Sequence, residues 1–224
     1  MGAAVTEHDP FRDARARMVA QQVAARGVRD PRVLAALRAV PRHVFVPEPL
    51  RPAAYDDSPL PIGESQTISQ PYIVALMSEL AEVRPGDRLL EIGTGSGYQA
   101  AVLAELTPPD HVYTIEILPA LAARARQTFD ALGYRAIQTK VGDGYAGWPE
   151  QAPFDAILVT AAPDHVPQPL MDQLAVGGRL VVPVGPEGVT QTLRVLTKQH
   201  DGTLATRDVL PVSFVPLVRG DQPR

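Results

Sequence analysis

The chain has 224 residues, of which 45% are hydrophobic and 21% charged, proportions that are ordinary for a globular protein. It has no cysteine, which excludes disulfides, a thiolate nucleophile and a cysteine-ligated metal. The formal net charge of -4 provides no general positive field for nucleic acid, and no stretch approaches the ~18 apolar residues of a membrane span, so we expect neither partner.

The N-terminal stretch from Met1 to Gln22 mixes acidic residues with arginines and lacks an apolar segment, which is unlike a signal or transit peptide. We therefore predict a cytoplasmic protein, and we expect a monomer. The five histidines lie far apart without the spacing of metal ligands, so we predict no metal site.

Helical patterns occupy the first part of the chain, on either side of a proline-rich stretch. One helix is predicted over residues 11–27 and a second after Asp30, an N-cap residue type. Residues 41–68 show no sustained period, but their apolar side chains predict an ordered segment that packs over the rest of the protein. A third helix is predicted from about Gln70 to Leu80.

Short apolar strands follow, the first of them separated by helical stretches. The predicted strands are Arg88–Ile92, His111–Ile117, Ile137–Val141, Asp155–Thr160, Arg179–Val184, Leu193–Thr197 and Val212–Leu217. Alternating strands and helices predict a doubly wound, mostly parallel sheet, and the last two strands should form an antiparallel pair. We predict a single domain over residues 1–224, in which 1–82 pack on a ligand-binding core formed by 83–224.

Three features predict a nucleotide-like ligand at one end of this sheet. Residues 89–97 leave a strand, turn on three glycines and enter a helix, a geometry that lets a ligand approach the helix start. Glu116 closes the next strand, where an acid can accept hydrogen bonds from ribose hydroxyls. Asp143, between two glycines after the third strand, is placed to accept from an adenine amine. These features alone do not distinguish a nicotinamide site from an S-adenosylmethionine site.

Longer motifs carry a resemblance to a known family. They are Ala54–Gly63, Gln66–Tyr72, Val40–Pro47, Glu91–Gly97, Gly142–Gly144, Pro153–Ile157, Gly177–Leu180 and Val212–Leu217. Together they resemble the protein-L-isoaspartate (D-aspartate) O-methyltransferase family, and the Tyr55–Pro71 stretch is far more specific than a glycine loop. One position departs from the family pattern, because Ser65 stands where members often have glycine.

The resemblance implies an α/β fold with a Rossmann-like S-adenosylmethionine-dependent methyltransferase sheet and an N-terminal helical and loop extension. It also implies S-adenosylmethionine as cofactor, no metal, and isoaspartyl-containing proteins and peptides, flexible or unfolded, as substrates. Ser69 occupies the usual catalytic position. The implied cofactor-binding residues are Gln66, Thr67, Glu91, Gly93, Thr94, Gly95, Glu116, Ile117, Asp143 and Gly144. The implied substrate-binding residues are Tyr55, Asp57, Ser69 and Val212.

Such a reaction needs few catalytic groups, because a carboxylate is already an anion at neutral pH and the sulfonium already activates its leaving group. In the family, the methyl ester then collapses to a succinimide, which begins repair. Ser69 has a competing structural interpretation as a helix N-cap, Tyr55 as a loop anchor with a solvated hydroxyl, and Asp57 as a turn residue.

Three other functions remain open. The nearest is an aspartyl methyltransferase dedicated to one biosynthetic peptide, for which the sequence shows no extra recognition segment. The second is a noncatalytic S-adenosylmethionine-binding module, and the third is a nicotinamide dehydrogenase.

Overall fold

The computed structural model describes residues 9–220, in which helices pack around a central sheet. The α-helices are α1 (Arg12–Arg17), α2 (Pro31–Ala39), α3 (Pro71–Leu80), α4 (Tyr98–Ala104), α5 (Pro119–Leu132) and α6 (Gln168–Asp172). The strands are β1 (Leu60–Gly63), β2 (Gln66–Ile68), β3 (Leu89–Ile92), β4 (Val112–Glu116), β5 (Gln138–Val141), β6 (Phe154–Val159), β7 (Leu174–Val184), β8 (Gln191–Lys198) and β9 (Leu204–Val212).

The main sheet has seven strands in the order β5-β4-β3-β6-β7-β8-β9. Strands β3 to β7 pair in parallel, whereas β8 and β9 complete the sheet in antiparallel fashion. Every residue of β3 is buried, as expected for a central strand covered on both faces. The strand order reverses beside β3, because β4 and β5 lie on one side of it and the next strand along the chain, β6, lies on the other. The predicted fold class is confirmed.

The last strand differs from the prediction. The sequence indicated Val212–Leu217, but β9 covers Leu204–Val212 and pairs with β8 as the edge of the sheet. The chain then leaves β9 and lies beside Ala162, whose N–H donates to Val215 O and whose carbonyl accepts from Leu217 N. The apolar pattern of this segment therefore reflects a covering role, while β9 is mostly exposed and so lacks an apolar pattern.

The predicted first helix is present in a composite form. Helix α1 continues as a wider π-helical stretch, Met18–Val23, and ends after a 3₁₀ turn at Gly27, where φ is +101°. Helix α2 begins as predicted, because the Asp30 side chain accepts from Arg32 N at 2.8 Å. The buried side chains form two hydrophobic clusters, and the one that includes Met18 and Val212 joins this N-terminal part to the sheet.

Residues 41–68 form an ordered segment that includes the β1–β2 hairpin. Glu64 and Ser65 form its turn, with φ of +52° and +55°. This left-handed conformation explains why glycine is common at the position of Ser65, since glycine adopts it without strain. Helix α5 secures the hairpin, because Arg124 Nη2 donates to Ile62 O at 2.9 Å.

Candidate active site

A cavity of about 340 Å³ opens at the carboxyl ends of β3, β4 and β6, at the point where the strand order reverses. Ligands of open α/β sheets bind at such a reversal point. We name it the strand-end cavity. Its lining residues come from the hairpin, the strand ends, α4 and the chain after β9: residues 64–69, 74, 77, 91–96, 98, 99, 115–118, 144, 160, 161 and 215–218.

The glycine turn after β3 cannot accept larger residues at two positions. Gly93 has φ +99°, and a Cβ there would lie 2.6 Å from Thr160 Oγ1. Gly97 has φ +91° at the start of α4, and a Cβ there would lie 2.7 Å from a ring carbon of Phe129. The turn is thus tightly packed at both positions, and its residues 93–96 border the cavity.

Glu116 joins the end of β4 to this turn. Its Oε2 accepts from Gly95 N at 2.8 Å, and its Oε1 accepts from Leu118 N at 3.0 Å. Each carboxylate oxygen has a second lone pair, so both oxygens retain capacity for a ligand donor. The sequence placed this acid beside the glycines, and the structure shows the two in direct contact.

Glu91 is a fully buried acid below the cavity. Its Oε2 accepts from Thr114 Oγ1 at 2.5 Å, while its Oε1 has no hydrogen-bond partner within residues 9–220. Burial, reinforced by the nearby charge of Glu116 and opposed by the Thr114 hydrogen bond, raises the pKa of Glu91 to about 8. Glu91 is therefore largely protonated at neutral pH when no cation lies beside it.

Asp143 and Gly144, two of the predicted cofactor-binding residues, lie in different environments. Gly144 lines the strand-end cavity, but Asp143 does not. Asp143 Oδ1 accepts from Tyr145 N at 2.8 Å, and Oδ2 accepts from Gly220 N at 3.1 Å. The carboxylate thus holds its own turn to the C-terminal segment, and a contact of Asp143 with adenine stays a prediction.

A second cavity of about 430 Å³ lies beside the first, against the edge strand β9. We name it the edge cavity, and its lining residues are Arg26, Pro59, Thr67, Ser69, Gln70, Tyr72, Ile73, Thr160, Thr190 and 210–215. Four of these residues, Thr67, Ser69, Thr160 and Val215, also line the strand-end cavity. They form a partition between the two cavities, and two of them, Thr67 and Ser69, are among the predicted site residues.

Ser69 lies in this partition and is not the N-cap of α3. That position belongs to Gln70, whose own side chain makes no capping bond, and the first turn is bonded instead by Asp57, which accepts from Tyr72 N. The N-cap interpretation of Ser69 is therefore wrong. Two residues, Ser69 and Gln70, join β2 to α3, and the second of them takes the N-cap position. Val212, predicted to bind substrate, lines the edge cavity.

Two predicted substrate-side residues line neither cavity. Tyr55 is buried, and its hydroxyl lies 2.8 Å from His43 Nδ1 and accepts from Arg15 Nη1 at 3.2 Å, so it is an internal anchor and is not solvated. Asp57 accepts from Arg26 Nη1 and, at 3.2 Å, from Tyr72 N. The structure thus gives Asp57 backbone and ion-pair contacts and places it behind the edge cavity.

Sequence reasoning missed Arg26, Thr160 and the covering role of residues 215–218. Thr160 had a detectable signal, since it directly follows a central parallel strand. Arg26 had only an indirect signal, because the resemblance extends to Arg26–Val28, while its approach to the edge cavity depends on the packing of the first helical segment. Within the described residues, no group of three His, Asp or Glu side chains could hold a metal, and no helix is long and apolar enough to cross a membrane.

Residues 13–222 match the family model described as protein-L-isoaspartate(D-aspartate) O-methyltransferase. The chain belongs to this family. A relative in Gloeobacter violaceus, named protein-L-isoaspartate O-methyltransferase, is 59% identical over 90% of this chain and 97% of its own length. One of the same name in Methanoculleus marisnigri is 54% identical over 95% of this chain and 94% of its own.

Solved structures agree with this membership. A protein-L-isoaspartate O-methyltransferase superposes with a TM-score of 0.82 at 29% identity, over 92% of this chain and 66% of that longer chain. A Plasmodium falciparum family protein, described as putative and solved with S-adenosyl-L-homocysteine, superposes with a TM-score of 0.79 at 25% identity. That match covers 92% of this chain and 98% of the Plasmodium chain.

Proposed function

We propose that this protein transfers a methyl group from S-adenosylmethionine to the free α-carboxylate of L-isoaspartyl residues in damaged proteins and peptides. The observation that carries the proposal is the pair of cavities that share a partition at Ser69, in a chain of this family. One cavity suits a nucleotide and the other a peptide. We also propose a single-domain monomer that acts in the cytoplasm on flexible or unfolded substrates.

The residues of the strand-end cavity fit S-adenosylmethionine. The volume of the strand-end cavity lies in the usual range of small-molecule sites. Glu116 has free acceptor capacity for the ribose hydroxyls, and the glycine turn from Gly93 to Gly95 leaves room for the methionine part. Glu91 lines this cavity, which would receive a cationic ligand, and its Oε1 has no hydrogen-bond partner among residues 9–220. Gln66, Thr67, Ile117 and Gly144 complete the proposed contacts, and Asp143 supports them through its turn.

The chemistry requires alignment more than proton transfer. Bound S-adenosylmethionine supplies an electrophilic methyl group on a sulfonium centre. The substrate carboxylate has a reference pKa near 4 and is already ionised at neutral pH, so no general base is needed. Holding the carboxylate oxygen in line with the methyl carbon supplies roughly 7 to 11 kcal/mol through proximity and orientation. The partition residues are placed to do this.

Ser69 is the proposed catalytic residue, because it borders both cavities. Its hydroxyl would donate to one carboxylate oxygen and thereby orient the other toward the methyl group. Ser69→Ala should lower turnover while leaving the affinity for S-adenosylmethionine and the melting temperature nearly unchanged, since Ser69 does not cap α3. Full turnover in this variant would contradict the role.

The peptide would lie in the edge cavity in an extended form. Strand β9 is the last strand of the sheet, and its end from Leu210 to Val212 lines this cavity. Unpaired backbone groups at a sheet edge bind extended chains with little side-chain preference. A repair enzyme needs this property, because damage sites differ in sequence.

The deciding experiment compares an isoaspartyl peptide with its aspartyl twin, using labelled S-adenosylmethionine. The two substrates differ by the displacement of the free carboxylate along the backbone, and a misplacement of about 1 Å costs on the order of 100-fold in rate. We expect much faster methylation of the isoaspartyl peptide, followed by spontaneous ester loss and a succinimide detectable by mass. Equal rates, or dependence on one particular peptide sequence, would refute the proposal.

A further inference from the structure

One charged side chain stands in the edge cavity, and neither the methyl transfer nor the cofactor requires it. Arg26 lies at the end of the first helical segment, and its guanidinium carbon lies 3.5 Å from the centre of the Tyr72 ring. Both residues line the cavity. Among the described residues that do so, Arg26 alone carries a charge, so a bound peptide meets one cation in an otherwise neutral site.

The position of Arg26 is fixed from two sides. Asp57 Oδ2 accepts from its Nη1, while Asp57 Oδ1 accepts from Tyr72 N at the start of α3. Asp57 thus holds the cation and the ring beneath it in one arrangement. A guanidinium stacked on an aromatic ring and tied at one nitrogen keeps its remaining N–H groups in a planar fork, and such a fork matches a carboxylate.

The guanidinium also remains accessible. The Arg26 side chain keeps 44% of its surface exposed, and Asp57 is the only acid within the described residues that pairs with it. The adjacent Asp57 charge reduces the net attraction for a second carboxylate, but the unused N–H groups supply directional hydrogen bonds that a bulk charge would not.

We propose that Arg26 is a specificity-determining residue, which favours isoaspartyl peptides that carry a second carboxylate close to the damaged residue. That carboxylate is an Asp or Glu side chain near the isoaspartyl residue in the sequence. Asp57 is a positioning residue that acts through Arg26. This inference rests on the proposed function, since it assumes that the edge cavity holds the peptide.

The test uses isoaspartyl peptides that carry Glu, Gln or Lys at one flanking position at a time. For the wild type, we expect the Glu peptide to exceed the Lys peptide in kcat/KM by roughly 3- to 10-fold at one position, as suits a half-exposed ion pair. The difference should lie in KM and should shrink in high salt. Peptide affinity measured by fluorescence anisotropy, with S-adenosylhomocysteine present, should follow the same order.

Arg26→Gln should reduce the Glu-to-Lys ratio to about one in both measurements. Arg29→Gln is the matched control, because Arg29 is an exposed arginine three residues away that lines neither cavity, and it should keep the wild-type ratio. Asp57→Asn releases Arg26 and also removes the competing negative charge, so it should change the Glu-to-Lys ratio through KM and leave kcat unchanged. A wild type without any charge preference, or a preference that survives Arg26→Gln, would overturn the inference. If the wild type methylates none of the isoaspartyl peptides, that result would instead refute the proposed function.

Discussion

The buried acid Glu91 allows a sharp prediction about stability and pH. In the protein without cofactor, burial raises its pKa to about 8, whereas an unfolded glutamate titrates near 4.5. Between these values the folded state holds one proton more than the unfolded state, so stability falls as pH rises through this window. Glu91→Gln replaces the acid with a neutral side chain of the same shape and should remove this pH dependence.

The expected size follows from the linkage between proton binding and stability. Wild type should lose about 1.4 kcal/mol for each pH unit between 4.5 and 8 relative to the variant, or about 3 to 5 kcal/mol in total. Below pH 4.5 the variant should be less stable by about 1 to 3 kcal/mol, because its amide places an N–H donor where Glu91 Oε1 has no partner. The two stability curves should therefore cross about one to two pH units above 4.5.

Urea unfolding of both proteins from pH 4 to 9 measures this difference. Other groups with shifted pKa values, such as His43, affect both proteins equally and cancel in the difference curve. Glu187→Gln, at an exposed loop position, is the control and should give a flat difference curve. Parallel curves for wild type and Glu91→Gln, without a crossing, would refute the account of Glu91.

Two further predictions concern the cofactor. Glu116→Gln should weaken S-adenosylmethionine binding about 10- to 100-fold by calorimetry, because a charged acceptor bonded to Gly95 N is lost, and an unchanged dissociation constant in a folded variant would reject the ribose assignment. Arg124→Met should speed cofactor dissociation several-fold in stopped-flow measurements, because the hairpin over the cavity loses its hydrogen bond at Ile62 O. The control Arg126→Met, on the same helix, should leave the dissociation rate unchanged. Equal dissociation rates in the two variants would contradict this role of Arg124.

The sheet could be predicted where its strands are central. Strand β3 is buried throughout because both its faces are covered, and apart from Glu91 its residues are apolar, a pattern that is visible in the sequence. Strand β9 was misplaced because an edge strand is mostly exposed and includes polar residues such as Arg207 and Asp208. The apolar residues that follow it suggested a strand, although their burial serves the strand-end cavity. An apolar pattern in the sequence indicates that a segment is covered but does not indicate which part of the protein covers it.

The site was predictable where local chemistry determines position. Glu116 and the glycines follow neighbouring parallel strands, so their meeting follows from the topology. Tyr55 was different, because its hydroxyl is bonded to Arg15 and His43, which are distant in sequence. Arg26 was missed for the same reason. Contacts that depend on how separate segments pack leave no spacing in the sequence to detect.

The shared partition between the two cavities has a consequence for engineering. Both cavities take lining residues from before and after residue 88, so no contiguous stretch of sequence determines the methyl acceptor alone. Replacing residues 9–88 by their counterpart from a relative should therefore alter the donor side together with the acceptor side. Substitutions at Arg26 or Tyr72, which line the edge cavity alone, should change acceptor preference while the donor remains the same.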